Sequence, residues 1–279
     1  PRMPDIRDWK EIDADWLTAA LRDGGVDAKV RSFEAGKVGT GQIGDCVRFK
    51  LDYESAAPDA PKTLVGKFPA EGEESRATGI KLSNYLREVK FYQLLQPDAR
   101  ISTPRCYFTD VNEDTHDFVL MMGDMAPAEQ GDQLAGVTLD EAKLVLKEAA
   151  KLHSAYWEDD RLDEYDWVMG TTNAPDVLDP DMVAGLWDGF KARYGDRVTP
   201  EAIRVGDGMS RNMDKFDESR EGQRCLIHSD FRPDNMLFDL SNKDKPVTVV
   251  DWQSFGYGPG GADVGYFIAG AIDPATRQA

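Results

Sequence analysis

The most informative segments of this chain are His228-Ser229-Asp230-Phe231-Arg232-Pro233-Asp234-Asn235 and, shortly after it, Val249-Val250-Asp251. In the first segment, an aspartate and an asparagine stand five positions apart after a short apolar run. In the second, another aspartate ends an apolar run, so three oxygen-bearing side chains are expected to converge at strand ends. Phosphoryl transfer needs such a set, because one carboxylate accepts the proton of the attacking hydroxyl while an amide and a carboxylate hold Mg²⁺. A polar β-hairpin with acidic turns is the alternative interpretation.

Upstream of these segments stand a lysine and a glutamate that suit phosphate binding. Lys67 lies late in a strand-like apolar run over residues 64–68, and Glu88 lies on a helix predicted over residues 80–95. A strand lysine that pairs with a helix glutamate is held in place to contact the α- and β-phosphates of a nucleotide. The alternatives are a solvent-facing strand lysine and a glutamate paired with basic neighbours on its own helix.

A glycine-rich segment, Gly39-Thr40-Gly41-Gln42-Ile43-Gly44, matches the pattern G-x-G-x-x-G. A dinucleotide-binding turn would need a helix directly after it and an acidic residue about 20 positions on. Here a strand-like alternation over residues 46–53 follows, and apolar residues and Lys67 occupy the region of the expected acid. The pattern therefore favours a loop between two strands that folds over nucleotide phosphates, with a plain glycine-rich hairpin as the alternative.

Composition and charge exclude several classes of protein. The 279 residues include 33 Lys+Arg and 51 Asp+Glu, and the resulting charge of −18 disfavours an electrostatically driven nucleic-acid partner. No run approaches the ~18 apolar residues of a membrane span, and no apolar signal core opens the chain. The three cysteines are widely spaced and indicate neither a disulfide framework nor a zinc site. We expect a cytoplasmic protein without a nucleic-acid or membrane partner.

The order of predicted elements gives an α+β fold in two lobes. A helix is predicted in the first 25 residues, and strands are predicted over residues 30–35, 46–53, 63–68, 106–109 and 118–122. Helices dominate later, and the apolar runs at 225–227 and 247–250 bracket a hairpin with a polar turn at 241–245. We expect a β-rich nucleotide-binding lobe over residues 1–122, a hinge over 123–127, and a mainly helical catalytic and acceptor lobe over 128–279.

These motifs resemble those of a known superfamily. HSDFRPDN resembles the catalytic loop of protein-kinase-like enzymes, and VVDWQ resembles the counterpart of their DFG segment. The finer likeness is to the aminoglycoside phosphotransferase and choline kinase group, and within it to the bacterial ecdysteroid-kinase-like branch. That likeness is carried by residues 39–45, 75–92, 131–136 and 251–267. The resemblance implies a two-lobe protein-kinase-like fold and a small-molecule kinase that uses ATP and Mg²⁺.

The resemblance also implies a role for each matching position. Asp230 is then the catalytic base, Asn235 and Asp251 ligate magnesium, and His228 and Asp263 support the catalytic loop. The implied nucleotide-binding positions are Gly39, Thr40, Gly41, Gln42, Gly44, Lys67, Glu88, Gly123 and Met125.

The acceptor is expected to be a small hydroxylated molecule. An acidic cleft would suit a cation, and an apolar alcohol would suit an aromatic group that core packing also explains, namely Trp157, Trp167, Trp187, Phe190 and Tyr194. The absence of an Ala-Pro-Glu segment argues against a protein kinase. Relatives continue beyond the position of Asp263 with further helices, so we expect the final helices of the second lobe to be lacking. A nucleotide-binding sensor without transferase activity is the alternative function.

Overall fold

The computed structural model describes residues 4–39, 43–171, 180–218 and 222–278. Its largest sheet has five antiparallel strands, which lie in the order β1-β2-β3-β5-β4. These strands are β1 (Ala28–Val38), β2 (Gly44–Ala56), β3 (Thr63–Pro69), β4 (Cys106–Val111) and β5 (Phe118–Gly123). The long β1–β2 pair brackets the glycine-rich loop, so the sequence pattern of strand, loop and strand is present.

Helix α1 (Ala14–Asp23) covers one face of this sheet. It begins where the Asp13 carboxylate accepts a hydrogen bond from the Trp16 backbone N–H, a cap that contributes about 1 kcal/mol. Trp16 and Leu17 are buried, and the Trp16 ring packs edge-on against Phe108, with 5.6 Å between centroids. These side chains belong to the smaller of the two hydrophobic cores, which joins the start of the chain to the sheet.

The single helix predicted over residues 80–95 is wrong. Helix α2 (Glu73–Lys81) ends before Ser83, whose φ of +54° is left-handed, and a separate helix, α3 (Asn84–Lys90), starts after it. A π-helical turn over Phe91–Leu95 continues α3. The break matters for the site, because α3 carries Glu88 into the protein interior.

The rest of the described chain is mainly helical. Its helices are α4 (Leu139–Ala155), α5 (Pro180–Tyr194), α6 (Pro200–Ser210), α7 (Met213–Glu218) and α8 (Gly261–Ala271). Its short strands are β6 (Glu129–Gln130), β7 (Cys225–Ile227), β8 (Met236–Phe238), β9 (Val247–Val249) and β10 (Gly256–Gly258). β8 and β9 form the hairpin whose polar turn was predicted, whereas β7 pairs with β10 in a separate sheet.

One large core runs from α3 and β5 through α4 to the strands β7 and β9 and helix α8. At its centre the Phe91 ring stacks on Trp252, with 3.9 Å between centroids and 4° between planes. Trp252 directly follows Asp251, so this stack fixes the end of α3 against the segment that carries a predicted metal ligand. The lobe boundaries at residues 122 and 128 remain a prediction. No helix of the described ranges is long and apolar enough to cross a membrane.

Candidate active site

The segment from His228 to Asn235 leaves strand β7 and is held by a buried carboxylate. Asp263 of α8 accepts hydrogen bonds from the backbone N–H groups of His228 and Ser229, both at 2.9 Å. Nε2 of His153 on α4 lies 3.0 Å from the same carboxylate, which requires that this nitrogen carry the proton. Asp263 is 1% exposed, so three hydrogen bonds compensate the burial of its charge. Asp263 therefore holds the start of this segment in place, and its supporting role in catalysis stays a prediction.

His228 links the two segments named at the outset. Its side chain is fully buried, and its Nε2 lies 3.0 Å from the carbonyl oxygen of Val250. The Val250 N–H in turn donates to the carbonyl of Asn235 at 2.9 Å. These two bonds hold the segment that ends in Asp251 beside the loop of Asp230. His228 is therefore placed to support the loop, with its ring nitrogen already engaged.

Asp230 and Asn235 form a direct pair. Nδ2 of Asn235 donates to Asp230 Oδ2 at 2.8 Å and to the Asp230 carbonyl at 2.9 Å. Asn235 is buried, while the Asp230 side chain is 30% exposed, so the carboxylate is fixed from behind and open in front. Since the amide nitrogen points at Asp230, the Asn235 Oδ1 is the oxygen left for another ligand.

Lys67 lies on β3 at the position opposite Cys46 of β2 and Leu120 of β5. Its Nζ lies 2.7 Å from Glu88 Oε2 and 2.8 Å from Asp251 Oδ1, so one ammonium bridges two carboxylates. The ion pair with Glu88 that the sequence predicted is present, and Asp251 joins it.

Burial and charge act on these three groups in opposite senses. Burial alone would lower the pKa of Lys67, but the Asp251 and Glu88 carboxylates outweigh it and raise that pKa. Burial would raise the pKa of Asp251, yet the adjacent ammonium holds it below its ordinary value. Glu88 is more deeply enclosed, and burial raises its pKa. Lys67 and Asp251 are consequently both charged at neutral pH.

Asp251 occupies a strained backbone conformation. Its φ is +66°, in the left-handed region that a non-glycine residue seldom adopts. Trp252 N–H donates to Glu88 Oε1 at 3.3 Å, and Gln253 Nε2 donates to Asp251 Oδ2 at 3.1 Å. Strain of this kind persists where neighbouring contacts enforce it and is concentrated at functional sites.

The described residues contain no cluster of three or more His, Cys, Asp or Glu side chains that could hold a metal. Asp251 and Asn235 offer one carboxylate and one amide oxygen on adjoining segments. Magnesium is usually held by one or two protein side chains and completes its shell with phosphate oxygens and water. The donor set therefore fits a magnesium ion bound together with a phosphate ligand.

The glycine-rich loop is only partly described. Gly39 has a φ of +74°, and Gly44 packs so closely on Lys67 that an added Cβ would lie 3.1 Å from its Cε. The predicted loop positions Thr40, Gly41 and Gln42 lie outside the described residues.

In the predicted hinge, some backbone groups are hydrogen-bonded to other described residues, whereas at least one N–H group is not. The Gly123 N–H donates to the Arg105 carbonyl at 2.8 Å, and the Met125 carbonyl accepts from Ala128 at 2.9 Å. Within the described residues, the Met125 N–H makes no hydrogen bond. This N–H is therefore available to another hydrogen-bond acceptor.

Within the described residues, the aromatic group considered as an acceptor pocket is divided between different places. Trp187, Phe190 and Tyr194 contact one another along α5, with Phe190 and Tyr194 each 39% exposed, so these three do not form a closed core. Trp167 packs with Phe255 elsewhere.

Sequence reasoning assigned no role to two residues that contact Asp230. Arg232 Nε and Tyr266 Oη lie 3.1 and 3.4 Å from its Oδ1. Arg232 lies within the motif, but Tyr266 could be found only through its position three residues after Asp263 on the same helix.

The fold and this site define a protein of the kinase-like class. The chain matches, over residues 61–279, the model of the family described as "Phosphotransferase enzyme family" (APH). The protein belongs to this phosphotransferase family.

Similar solved structures come from the same class. The GDP complex of a mutant aminoglycoside 2′-phosphotransferase-IIIa has a TM-score of 0.52 at 16% identity, covering 90% of this chain and 76% of that chain. The streptomycin–ATP–APH(2″)-IIa ternary complex has a TM-score of 0.49 at 16% identity, with 91% and 74% covered. A choline/ethanolamine kinase family protein from Mesorhizobium loti has a TM-score of 0.43 at 12% identity, with 87% and 66% covered. The first of these carries the fold assignment. No curated protein matches the chain.

Proposed function

We propose that the protein is an ATP- and Mg²⁺-dependent phosphotransferase that moves the γ-phosphoryl group to a hydroxyl of a small molecule. The observation that carries the proposal is the Lys67 ammonium shared between Glu88 and Asp251. The segment that ends in Asp251 is in turn hydrogen-bonded to the loop of Asp230. A fixed ammonium of this kind orients α- and β-phosphates. Bound Mg²⁺, held by Asp251 and Asn235, would neutralise charge on the phosphates.

Asp230 is the proposed base. As the acceptor oxygen bonds to the γ-phosphorus, its proton passes to the Asp230 carboxylate, and the bond from that phosphorus to the β–γ bridging oxygen breaks to release ADP. Asn235 keeps the carboxylate oriented through the 2.8 Å bond to Oδ2. Catalysis in this scheme is mostly positioning, which is what a preformed and buried set of contacts supplies.

The nucleotide would sit between the glycine-rich loop and the Met125 N–H of the proposed hinge. The likeness to the ecdysteroid-kinase-like branch, the cytoplasmic location and the lobe boundaries belong to the same proposal.

Calorimetry and turnover together test this function. In calorimetry we expect Mg-ATP to bind the wild type, and Mg-GTP is titrated in parallel for comparison. In the turnover assay we expect ADP release to increase when a panel of cationic and neutral alcohols is added. Asp230→Asn should reduce turnover by about 10²–10⁴-fold while ATP affinity stays close to that of the wild type. Asp244→Asn, an equal change at an exposed hairpin position, is the matched control. Nucleotide binding without transfer to any acceptor would favour a sensor, and loss of ATP affinity in Asp230→Asn with unchanged turnover would contradict the role of Asp230.

A further inference from the structure

The two oxygens of Asp230 have different surroundings. Oδ2 is bonded to the buried amide of Asn235, as described above. Oδ1 faces two other side chains, with Arg232 Nε at 3.1 Å and Tyr266 Oη at 3.4 Å. Because Oδ2 is committed to the interior, Oδ1 is the oxygen that an incoming hydroxyl can reach.

Tyr266 reaches Oδ1 from helix α8, and contacts other than its own hydroxyl hold that helix in place. Phe267, the next residue, is fully buried and packs edge-on against Phe231 of the catalytic loop at 6.1 Å. The Tyr266 ring itself is 45% exposed, although its hydroxyl touches the base. A hydroxyl–carboxylate bond is ordinarily about 2.5–3.0 Å long, so the 3.4 Å contact is weak. An acceptor hydroxyl can therefore replace it.

Arg232 approaches the same oxygen with a charge. Its guanidinium lies between two carboxylates, 3.1 Å from Asp230 Oδ1 and 3.8 Å from Asp234 Oδ2, and its side chain is 37% exposed. Asp234 is held in turn by the Gln133 N–H at 3.2 Å. A cationic group on an acceptor would have to compete with Arg232 for these carboxylates and would meet its positive charge.

We propose that Tyr266 and Arg232 form the acceptor face of Asp230. Tyr266 is a positioning residue that covers Oδ1 and limits access of water until an acceptor hydroxyl takes its place. Arg232 is a specificity-determining residue that selects against acceptors with a cationic group next to the reacting hydroxyl. This inference rests on the proposed function and adds the chemical class of acceptor, an alcohol that is neutral near its hydroxyl.

Water as the acceptor tests Tyr266 without knowledge of the natural substrate. In this reaction ATP and water give ADP and phosphate, and phosphate release from Mg-ATP is measured across pH. Tyr266→Phe removes only the hydroxyl and should raise phosphate release by roughly two- to tenfold, the range set by the net contribution of one hydrogen bond. Tyr194→Phe is the control, because Tyr194 is a partly exposed tyrosine on α5. A tyrosine with a merely structural role would lower the rate or leave it unchanged when replaced.

Choline and 3,3-dimethylbutan-1-ol test Arg232, because these two primary alcohols share a shape and differ in one positive charge. Each alcohol that occupies the acceptor face displaces water and lowers phosphate release. We expect the neutral alcohol to inhibit wild-type phosphate release at a concentration roughly tenfold or more below that of choline. Arg232→Gln should narrow this gap, whereas Arg204→Gln, at an exposed arginine of α6, should not.

The outcomes distinguish a failure of the proposed function from a failure of the roles given to Tyr266 and Arg232. No phosphate release or transfer by the wild type would refute the proposed function, and this inference with it. Wild-type phosphate release that is unchanged or reduced in Tyr266→Phe would overturn the role of Tyr266 alone. Equal effects of the two alcohols on the wild type, including no effect of either, would overturn the role of Arg232. Melting temperatures of both variants should match the wild type, so that rate changes reflect the site.

Discussion

Replacing Lys67 by methionine removes the ammonium that Glu88 and Asp251 share. The methionine side chain keeps much of the apolar stem but leaves two carboxylate oxygens, formerly 2.7 and 2.8 Å from Nζ, without that partner. The two acids are unequal, since the Glu88 side chain is 2% exposed and that of Asp251 is 28% exposed. The cost of the substitution therefore arises mainly at Glu88.

Breaking a buried ion pair by removing one partner costs about 3–5 kcal/mol. We expect the lower end, about 3 kcal/mol near neutral pH, because Glu88 can take up a proton and retains its bond from Trp252 N–H. At roughly 2–4 °C per kcal/mol, the melting temperature should fall by about 6–12 °C.

The loss of stability in Lys67→Met should increase as pH rises. Burial already raises the pKa of Glu88 above the ordinary value of 4.5, and without the ammonium the raising effect is stronger. A group whose folded pKa is raised contributes stability below its unfolded pKa and loses it as pH rises through the folded value. The raised pKa of Lys67 keeps the wild-type ammonium charged over this range. The gap in stability between wild type and variant should thus widen from about pH 5 upward.

Thermal unfolding followed by circular dichroism from about pH 5 to pH 8 measures this gap. Lys50→Met, at a lysine on β2 whose side chain is 71% exposed, is the control and should change stability by less than about 0.5 kcal/mol. The double variant with Lys67→Met and Glu88→Gln should regain most of the lost stability while remaining inactive. An unchanged melting temperature in Lys67→Met, or a gap that does not grow with pH, would refute the electrostatic account.

Three further perturbations have defined outcomes. Asp263→Asn places an amide donor against backbone donors of the catalytic loop, so we expect a stability loss of about 1–3 kcal/mol and a lower kcat at an unchanged KM for ATP, measured by denaturant titration and steady-state kinetics. Gly66→Ala would put a Cβ 2.6 Å from the buried Phe68 ring and should cost about 1–3 kcal/mol, whereas Gly36→Ala, with open space around it, should cost far less. Chelation of Mg²⁺ should weaken ATP binding in calorimetry by more than it weakens AMP binding, because AMP carries less phosphate charge.

The sequence predicted the order of elements and motifs along the chain better than the way these elements pack in three dimensions. Lys67 and Glu88 could be paired from the sequence because each lies on an element with a clear apolar pattern. The break at Ser83 could not be foreseen, since a left-handed φ at a non-glycine residue has no clear local signal and is imposed by tertiary packing. Likewise, the short run at residues 225–227 predicts a strand but not its partner, which turned out to be β10.

The acceptor face shows where sequence patterns stop being informative. Tyr266 reaches Asp230 because Asp263 and Phe267 hold α8 against the loop of Asp230. The sequence pattern places Tyr266 on that helix but does not show that its hydroxyl contacts the carboxylate. Arg232 lies inside the motif, yet its charge becomes meaningful only when its distances to two carboxylates are known.

The strong acidity of the chain and the chemistry of the site are separate matters. Exposed pairs on the surface, such as Glu54 beside Lys29, are screened by salt and contribute little. At the site, each carboxylate is instead tied to a specific partner: Asp263 to backbone N–H groups, Asp251 to Lys67, and Asp230 to Asn235 and Arg232. A charge of −18 would suggest attraction of a cationic acceptor, but Asp230 already has the protein's own Arg232 beside it. Under the proposed function, local pairing rather than net charge would determine which acceptor the site favours.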